Sequence, residues 1–474
     1  MKLPKNLEMI DDMAFYGCKS LAGKVKIPEK LKDISGDSFA LCTGLTGFRV
    51  VEGNKYFSQK SGVLFNKKKT KLNCYLSGKK TKEYTIPSTV KNIKANAFSG
   101  TKYLQKVTLS KKMKETGAYS FAGSNVKEIS MPNTIKRISN GTFENCKNIK
   151  AIKIPSSVKY IADHAFADCI NLKEIKIPSK VEGIGYSAFE GCSTLQSVTL
   201  PKSIISIGRE AFSGCKSLKK ITIPSKVTMI DSETFKDCVK LKSVTLPKSL
   251  KEIGYSAFEN CRSLTELKIP SGVIEIYGWA FRNCRSLKSV TLPKSIKNIR
   301  LALFENCKKL TKITIPSKVT VIDSYAFAGC RSLKSVNIPS KVTEIGYNAF
   351  KNCSSLEKIT LPKAIKIIDT GTFENCKKLK EIKIPSGVTE IGVRTFKGCS
   401  SLKSLTFPKS VDSIYRGAFD NCKNLKSVKI LNKDCGIYLW NRKASGSKPT
   451  IYGYKNSTAQ KFAKEAKLKF VKIK

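Results

Sequence analysis

Down most of the chain the apolar residues return in one fixed frame. In the repeat beginning at Pro155 they stand at Val158, Ile161, Ala165, Phe166, Cys169, Leu172, Ile175 and Ile177, and the same slots are refilled every 23 residues. Prolines mark the step, at Pro132, Pro155, Pro178, Pro201, Pro224, Pro247, Pro270, Pro293, Pro316, Pro339, Pro362, Pro385 and Pro408. The cysteines from Cys146 to Cys422 and the phenylalanines from Phe143 to Phe419 keep it without exception. Earlier repeats centre on Phe15, Phe39, Phe98 and Phe121, at intervals of 24, 59, 23 and then 22 residues to Phe143, which makes seventeen repeats. A repeat this short cannot bury its own apolar face, so the period implies a solenoid in which each coil packs on its neighbours.

Each repeat carries two short extended runs. In "LKSVTLP" the residues alternate, with Val198 and Leu200 directed inward and Ser197 and Thr199 outward, the period of a strand. Its partner is the equivalent strand of the next repeat, so the sheet is parallel. A rise of about 4.8 Å per coil predicts a curved rod on the order of 80 Å long. After the proline a second run, "VKYI" or "VTEI", leads to a slot held by Gly185, Gly208, Gly254, Gly346, Gly392, Asp231, Asp323 or Asp369. Gly and Asp share a tolerance of positive φ, and the slot is expected to be a turn for that reason. The stretch from there through the phenylalanine to the cysteine is too short for a regular helix and predicts a tight or 3₁₀-like arc. Each ring of the phenylalanine column should contribute roughly 1.5 to 3 kcal/mol, with the cysteines beside it as small apolar filler.

Two segments depart from the frame. Between about residues 47 and 86, the runs "GVLF", "LNCYL" and "EYTI" are separated by Lys-rich and Gly turns, which predicts a β-hairpin inserted into one repeat. Near the end, Ala459, Phe462, Ala463 and Ala466 fall at helical spacing behind Ser457 or Thr458 as N-cap, and "LKFVKI" supplies a last strand. The expected division is a solenoid over 1–431 and a cap over 432–474 that covers the final apolar edge. The sequence begins inside a repeat without a comparable cap, so an upstream segment is expected.

Composition changes the picture in one respect. Of 474 residues 41% are hydrophobic, enough for a core, but 87 Lys and Arg against 36 Asp and Glu give a net charge of +51. Such a field makes anionic partners plausible, although lysines filling solvated repeat positions would produce the same excess. No apolar run reaches the length of about 18 residues that a membrane helix needs, and the first residues show no signal-peptide pattern.

Candidate chemistry is sparse. Equivalent cysteines in adjacent strands would lie at a separation a disulfide accepts, but in-register side chains point the same way and the total of 17 is odd, which favours reduced, buried thiols. The closest pair, Cys422 and Cys435, is 13 residues apart, which is not zinc spacing. The single histidine, His164, occupies a slot that other repeats fill with Ser187, Glu210, Trp279, Tyr325 or Arg394, so it reads as a surface residue and not a base. "GIGYSA" at 183–188 lacks the strand and helix of a dinucleotide site. Catalysis by Asp231, Asp323 or Asp369 would need paired, convergent acids. No catalytic, cofactor or metal residue is assigned. What remains is surface: an outward row of Thr199, Thr222, Thr245, Lys268, Thr291, Thr314 and Thr360, and an aromatic group of Tyr255, Tyr277, Trp279, Tyr325 and Tyr347. Threonine is also good strand filler, and aromatics can simply pack over an arc, so both sets carry a purely structural explanation beside the binding one.

The repeat "IPSKVTVIDSYAFAGCRSLKSV", with the insertion "NKYFSQKSGVLFNKKKTKL" and the ending "IYGYKNSTAQKFAKEAKLKF", closely resembles BspA-like leucine-rich repeats of the Treponema type over nearly the whole chain. The resemblance implies an α/β repeat solenoid, a curved leucine-rich-repeat rod. Its parallel β-sheet lines the concave face, and short strands with turns or 3₁₀ arcs form the convex one. It also implies a secreted or surface-attached protein without catalytic residues, engaged in adhesion to host matrix proteins and co-aggregation with other cells. A protein or glycan on a host or neighbouring cell surface is then the expected partner. The charge supports a rival, a binder of polyanions such as teichoic acid, sulfated glycan or nucleic acid, and a hydrolase acting on glycan or peptide is a second rival.

Overall fold

The structure, a computed structural model, describes residues 1–438 and 448–474. It divides into two compact units, Met1–Val239 and Lys240–Lys474, and each is a parallel β-solenoid. In the first, Glu174–Lys176 pairs in register with Ser197–Thr199, so that Ile175 meets Val198 and Lys176 meets Thr199. A second ladder joins Arg137–Ile138, Tyr160–Ile161, Gly183–Ile184 and Ser206–Ile207. In the second unit Glu266–Lys268, Ser289–Thr291 and Lys312–Thr314 form the equivalent strand face. There the other ladder runs through Ile367–Ile368, Glu390–Ile391, Ser413–Ile414 and Gly436–Ile437.

The arcs are turns, with no 3₁₀ helix among the described residues. Their amides alternate. In the coil of Phe166, the N–H groups of Ala165, Ala167 and Cys169 donate to the carbonyls of Ala162, His164 and Phe166, closing turns within the coil. Those of His164, Phe166 and Asp168 donate to Tyr186, Ala188 and Glu190 of the next coil. The winding needs two left-handed residues per coil, here His164 at φ 54° and Asp168 at φ 54°. The expected positive-φ slot is therefore misplaced by the sequence reading: Gly185, Gly208, Gly346 and Gly392 do not lie in the left-handed region. Glycine there instead accommodates the preceding coil, since a Cβ on Gly208 would stand 2.7 Å from the backbone nitrogen of Tyr186. The true left-handed positions are the His164 slot and the slot before the cysteine, held by Asn145, Asp168, Asp237, Asn260, Asn283, Asn306 and their equivalents, residue types that tolerate this region best after glycine.

Behind the arc the phenylalanines stack. Successive ring centroids are 5.3 Å apart from Phe166 to Phe189 and 5.3 Å from Phe189 to Phe212. In the second unit the separations are 5.7 Å between Phe258 and Phe281 and 5.5 Å between Phe281 and Phe304. These are offset-stacking distances, and the rings are fully buried. The thiols are all free, but they are more than filler. The Sγ of Cys192 donates to the carbonyl of Phe166 at 3.1 Å and that of Cys307 to Phe281 at 3.2 Å, each reaching back to the coil before. That carbonyl also accepts the turn amide of its own coil, so the thiol satisfies a second lone pair of a buried acceptor. Outside the column the second unit carries a row of alternating charge: Arg282 lies 3.5 Å from Glu259 and 2.9 Å from Glu305, close but not aligned as a hydrogen bond to the latter, and Lys351 lies 2.9 Å from Glu374.

Residues 47–86 carry more than a hairpin. Phe57–Lys60 and Val63–Asn66 are antiparallel, Val63–Asn66 pairs again with Lys71–Cys74, and that third strand turns parallel to Asn92–Ile93. It opens a coil that the sequence reading missed. Tyr75 takes the place of the phenylalanine, its amide bonded to the Ala97 carbonyl and its ring 5.0 Å from Phe98. At the far end the helix Thr458–Glu465 is capped by Ser457, which accepts from the Gln460 amide, and buries Ala459, Phe462 and Ala463. Phe470–Lys472 then pairs with Thr450–Gly453.

Three outcomes follow from this packing. Phe281→Ala should lower unfolding free energy by about 3 to 5 kcal/mol in urea titration, whereas Phe15→Ala, at a half-buried ring, should cost clearly less. Burial pushes the thiols of Cys146 and Cys353 up to about 12 from an ordinary 9.0. Because the folded thiol keeps its proton where the unfolded one has lost it, the contribution is complete below pH 9 and is lost as pH rises toward 12. Each such thiol then removes about 1.4 kcal/mol per pH unit. The urea midpoint should accordingly fall steeply above about pH 9, and less steeply when Cys307 and Cys330 are replaced by alanine. At neutral pH a thiol reagent should label Cys18, which is exposed, and spare the buried column until the chain is unfolded.

Candidate functional site

Strand alternation puts every second residue in solvent, and parallel register then lines equivalents into rows. Thr199 and Thr222 in the first unit are exposed, with Lys176 directly opposite Thr199. In the second unit Lys268, Thr291 and Thr314 are adjacent partners across three strands, Asn337 stands opposite Thr360, and Thr245 is exposed one strand earlier. The predicted row is thus a physical row within each unit. The same faces carry lysines both in the row and beside it. Lys242, Lys268, Lys288, Lys312, Lys334 and Lys358, one from each of six successive coils, are exposed. None of the six enters an ion pair among the described residues.

The aromatic group is resolved into two. Tyr255 meets Tyr277 at 4.8 Å and Trp279 at 6.2 Å, with tilts of 41° and 44°. Tyr325 and Tyr347 form a separate edge-to-face pair at 5.2 Å. Tyr255 and Tyr347 are 49% and 45% exposed, so neither set is core. Arg300 borders the first set, its Nε 3.0 Å from a Glu275 oxygen. The negative charge of Glu252 beside it holds the Tyr277 phenol above its ordinary ionisation range.

The sequence reading missed a third feature. In the first unit Ile129, Met131 and Ile152 are only partly buried and, with Pro132, Pro155 and Pro178, line an open apolar groove edged by Lys153 and Lys176. The one available signal was Met131 in "SMPN", where other repeats read "TLPK" or "KIPS".

The carboxylates do not converge. Asp231 and Asp369 each accept the amide of the next residue, at 2.6 and 2.5 Å, and stabilise their turns. His164 packs edge-on against Tyr186 at 5.0 Å. No cluster of three or more metal-ligating side chains occurs among the described residues, and no helix there is long and apolar enough to cross a membrane. The polar groups are spread in rows along strands and arcs, an arrangement suited to holding a large partner.

Several known proteins are similar to this chain. A leucine-rich repeat protein from Bacteroides ovatus ATCC 8483 is 27% identical over 81% of this chain and 97% of its own, with a TM-score of 0.65. A leucine rich cell surface protein from Faecalibacterium prausnitzii A2-165 is 26% identical over 79% of this chain and 94% of its own, with a TM-score of 0.46. The T. pallidum leucine rich repeat protein is 33% identical over 39% of this chain and 78% of its own, with a TM-score of 0.30. No curated protein matches. The family model described as BspA type leucine rich repeat region matches residues 1–69, 68–196, 184–311 and 301–426, and the chain belongs to that family.

Proposed function

We propose that this chain is a non-catalytic binding protein, secreted or held at a cell surface, that engages a protein or glycan of a host or neighbouring cell along its strand rows. One observation carries the reading: the exposed polar side chains lie in register across successive coils, as with Lys268, Thr291 and Thr314. A row of this kind presents repeated contacts to a long or broad partner, where specificity comes from many modest contacts around a few anchors. Membership of the BspA-type family supports the surface location and the adhesive role.

A second reading has its own observation. The six unpaired lysines from Lys242 to Lys358 place one positive charge on each of six coils, at a rise of roughly 5 Å per coil, a density that suits a linear polyanion such as teichoic acid, sulfated glycan or nucleic acid.

Salt separates the two. With the whole chain titrated against matrix protein and cell-surface glycan, affinity in the adhesive reading should change no more than about threefold between 50 and 200 mM salt. A charge-driven complex with six or more contacts should lose about a thousandfold or more over that range. Lys288→Glu with Lys334→Glu, both exposed and outside the row of Lys268, Thr291 and Thr314, should weaken a polyanion complex at least tenfold and leave a shape-driven one within about threefold. The steep response in both tests would replace the adhesive reading with the polyanion one.

A further inference from the structure

The left-handed slot before the phenylalanine takes residues of many sizes, from Gly371, Ala302 and Ser256 to Glu210, Arg394 and, in the first unit, Tyr119. In two coils of the second unit it holds a large ring, Trp279 at φ 58° and Tyr325 at φ 57°. The winding of the coil does not require a ring at this position, since glycine or alanine serves it elsewhere. The core does not explain the rings either, because the phenylalanine column fills the interior without them. Each of the two rings meets an exposed tyrosine of a neighbouring coil, Tyr255 and Tyr347 respectively.

From this coincidence we infer that Tyr255, Tyr277 and Trp279 form a stacking platform for an uncharged sugar ring, with Tyr325 and Tyr347 as a second subsite. The inference rests on the surface-binding reading and names the ligand of one part of that surface. The tilts of 41° and 44° keep the rings from lying face to face, and Tyr255 is exposed to solvent. Polar groups stand at the platform's edge: Glu252 beside the Tyr277 phenol, and Glu275 bonded to Arg300. A pyranose offers the complement, an apolar C–H face for the rings and a rim of hydroxyls that can donate to the carboxylates and accept from the guanidinium. Two carboxylates against one guanidinium leave this patch without the positive excess of the strand faces, which turns away the anionic ligands those faces attract. Trp279 and Tyr325 occupy the same column two coils apart, roughly 10 Å, so a short oligosaccharide and not a single ring would span both subsites.

The test uses the full chain carrying Trp440→Phe, which leaves Trp279 as its single tryptophan because the sequence has two. Its fluorescence is titrated with uncharged hexose and N-acetylhexosamine oligosaccharides of about two to six residues in 0.5 M salt, where the lysine rows are screened. A saturable change in Trp279 emission is expected. Tyr255→Ser and Tyr277→Gly should each weaken it about tenfold, the equivalent of one aromatic contact at about 1.4 kcal/mol. Both variants are compatible with folding, because Ser232 and Ser324, and Gly254 and Gly346, hold the equivalent slots. Tyr347→Ser should weaken only the longer ligands. Absence of a saturable response to every uncharged oligosaccharide, or unchanged affinity in Tyr255→Ser, would overturn the platform. Capture of the unsubstituted chain by cells, measured in parallel, distinguishes the failures: capture without any oligosaccharide response sinks the sugar site and leaves the surface-binding reading, whereas absence of both sinks both.

Discussion

An amide on the arc has two places to find its acceptor, inside its own coil or on the next, and in this protein the two choices alternate residue by residue. A buried backbone without such a scheme would leave donors orphaned at a cost the fold could not absorb. The alternation fixes the spacing of coils, forces two residues per coil into the left-handed region, and leaves the phenylalanine carbonyl with a free lone pair. The thiol of the next coil fills that lone pair. Ring stacking, thiol ladder and choice of asparagine before the cysteine are consequences of one backbone pattern.

Much of this architecture is legible in the residues. The spacing of Pro155, Phe166 and Cys169 and their copies dictates the period, the alternation around Val198 dictates the strand, and the register follows from equivalence. The glycine slot misled because Gly185 signals two things at once, freedom at positive φ and absence of a Cβ. The structure uses the second, while His164, with no such signature, takes the left-handed turn. The coil of Tyr75 escaped notice because its ring is tyrosine and because Leu72 reaches it in two residues fewer than Ile93 needs to reach Phe98. Thiol hydrogen bonding could not be read from sequence, since a cysteine column looks the same whether its sulfurs donate or merely fill space.

The surface is a different matter. Periodicity places Thr291 beside Thr314 whether or not anything binds there, so repetition by itself gives no functional signal. What stands out is departure from repetition: Trp279 where neighbours carry serine or alanine, Met131 where they carry leucine or isoleucine. In the second unit the strand face and the arc also differ in chemistry, one lined by unpaired lysines and the other holding rings among balanced charges. A scaffold with such faces can serve two ligand classes without either competing for the other's contacts.

The row of alternating charge through Glu259, Arg282 and Glu305 bears on how such a gene can change length. Coils of equal length that touch only their neighbours can be added or removed whole while the rest of the stack keeps its contacts. Excising the single coil of Arg282 would bring Glu259 against Glu305, carboxylate facing carboxylate, whereas excising the coils of Arg282 and Glu305 together would leave Glu259 beside Ala328 with no like charge facing it. The charge row therefore disfavours loss of the Arg282 coil by itself, while the neighbouring coil of Glu305 is free of that constraint because Ala328 follows it.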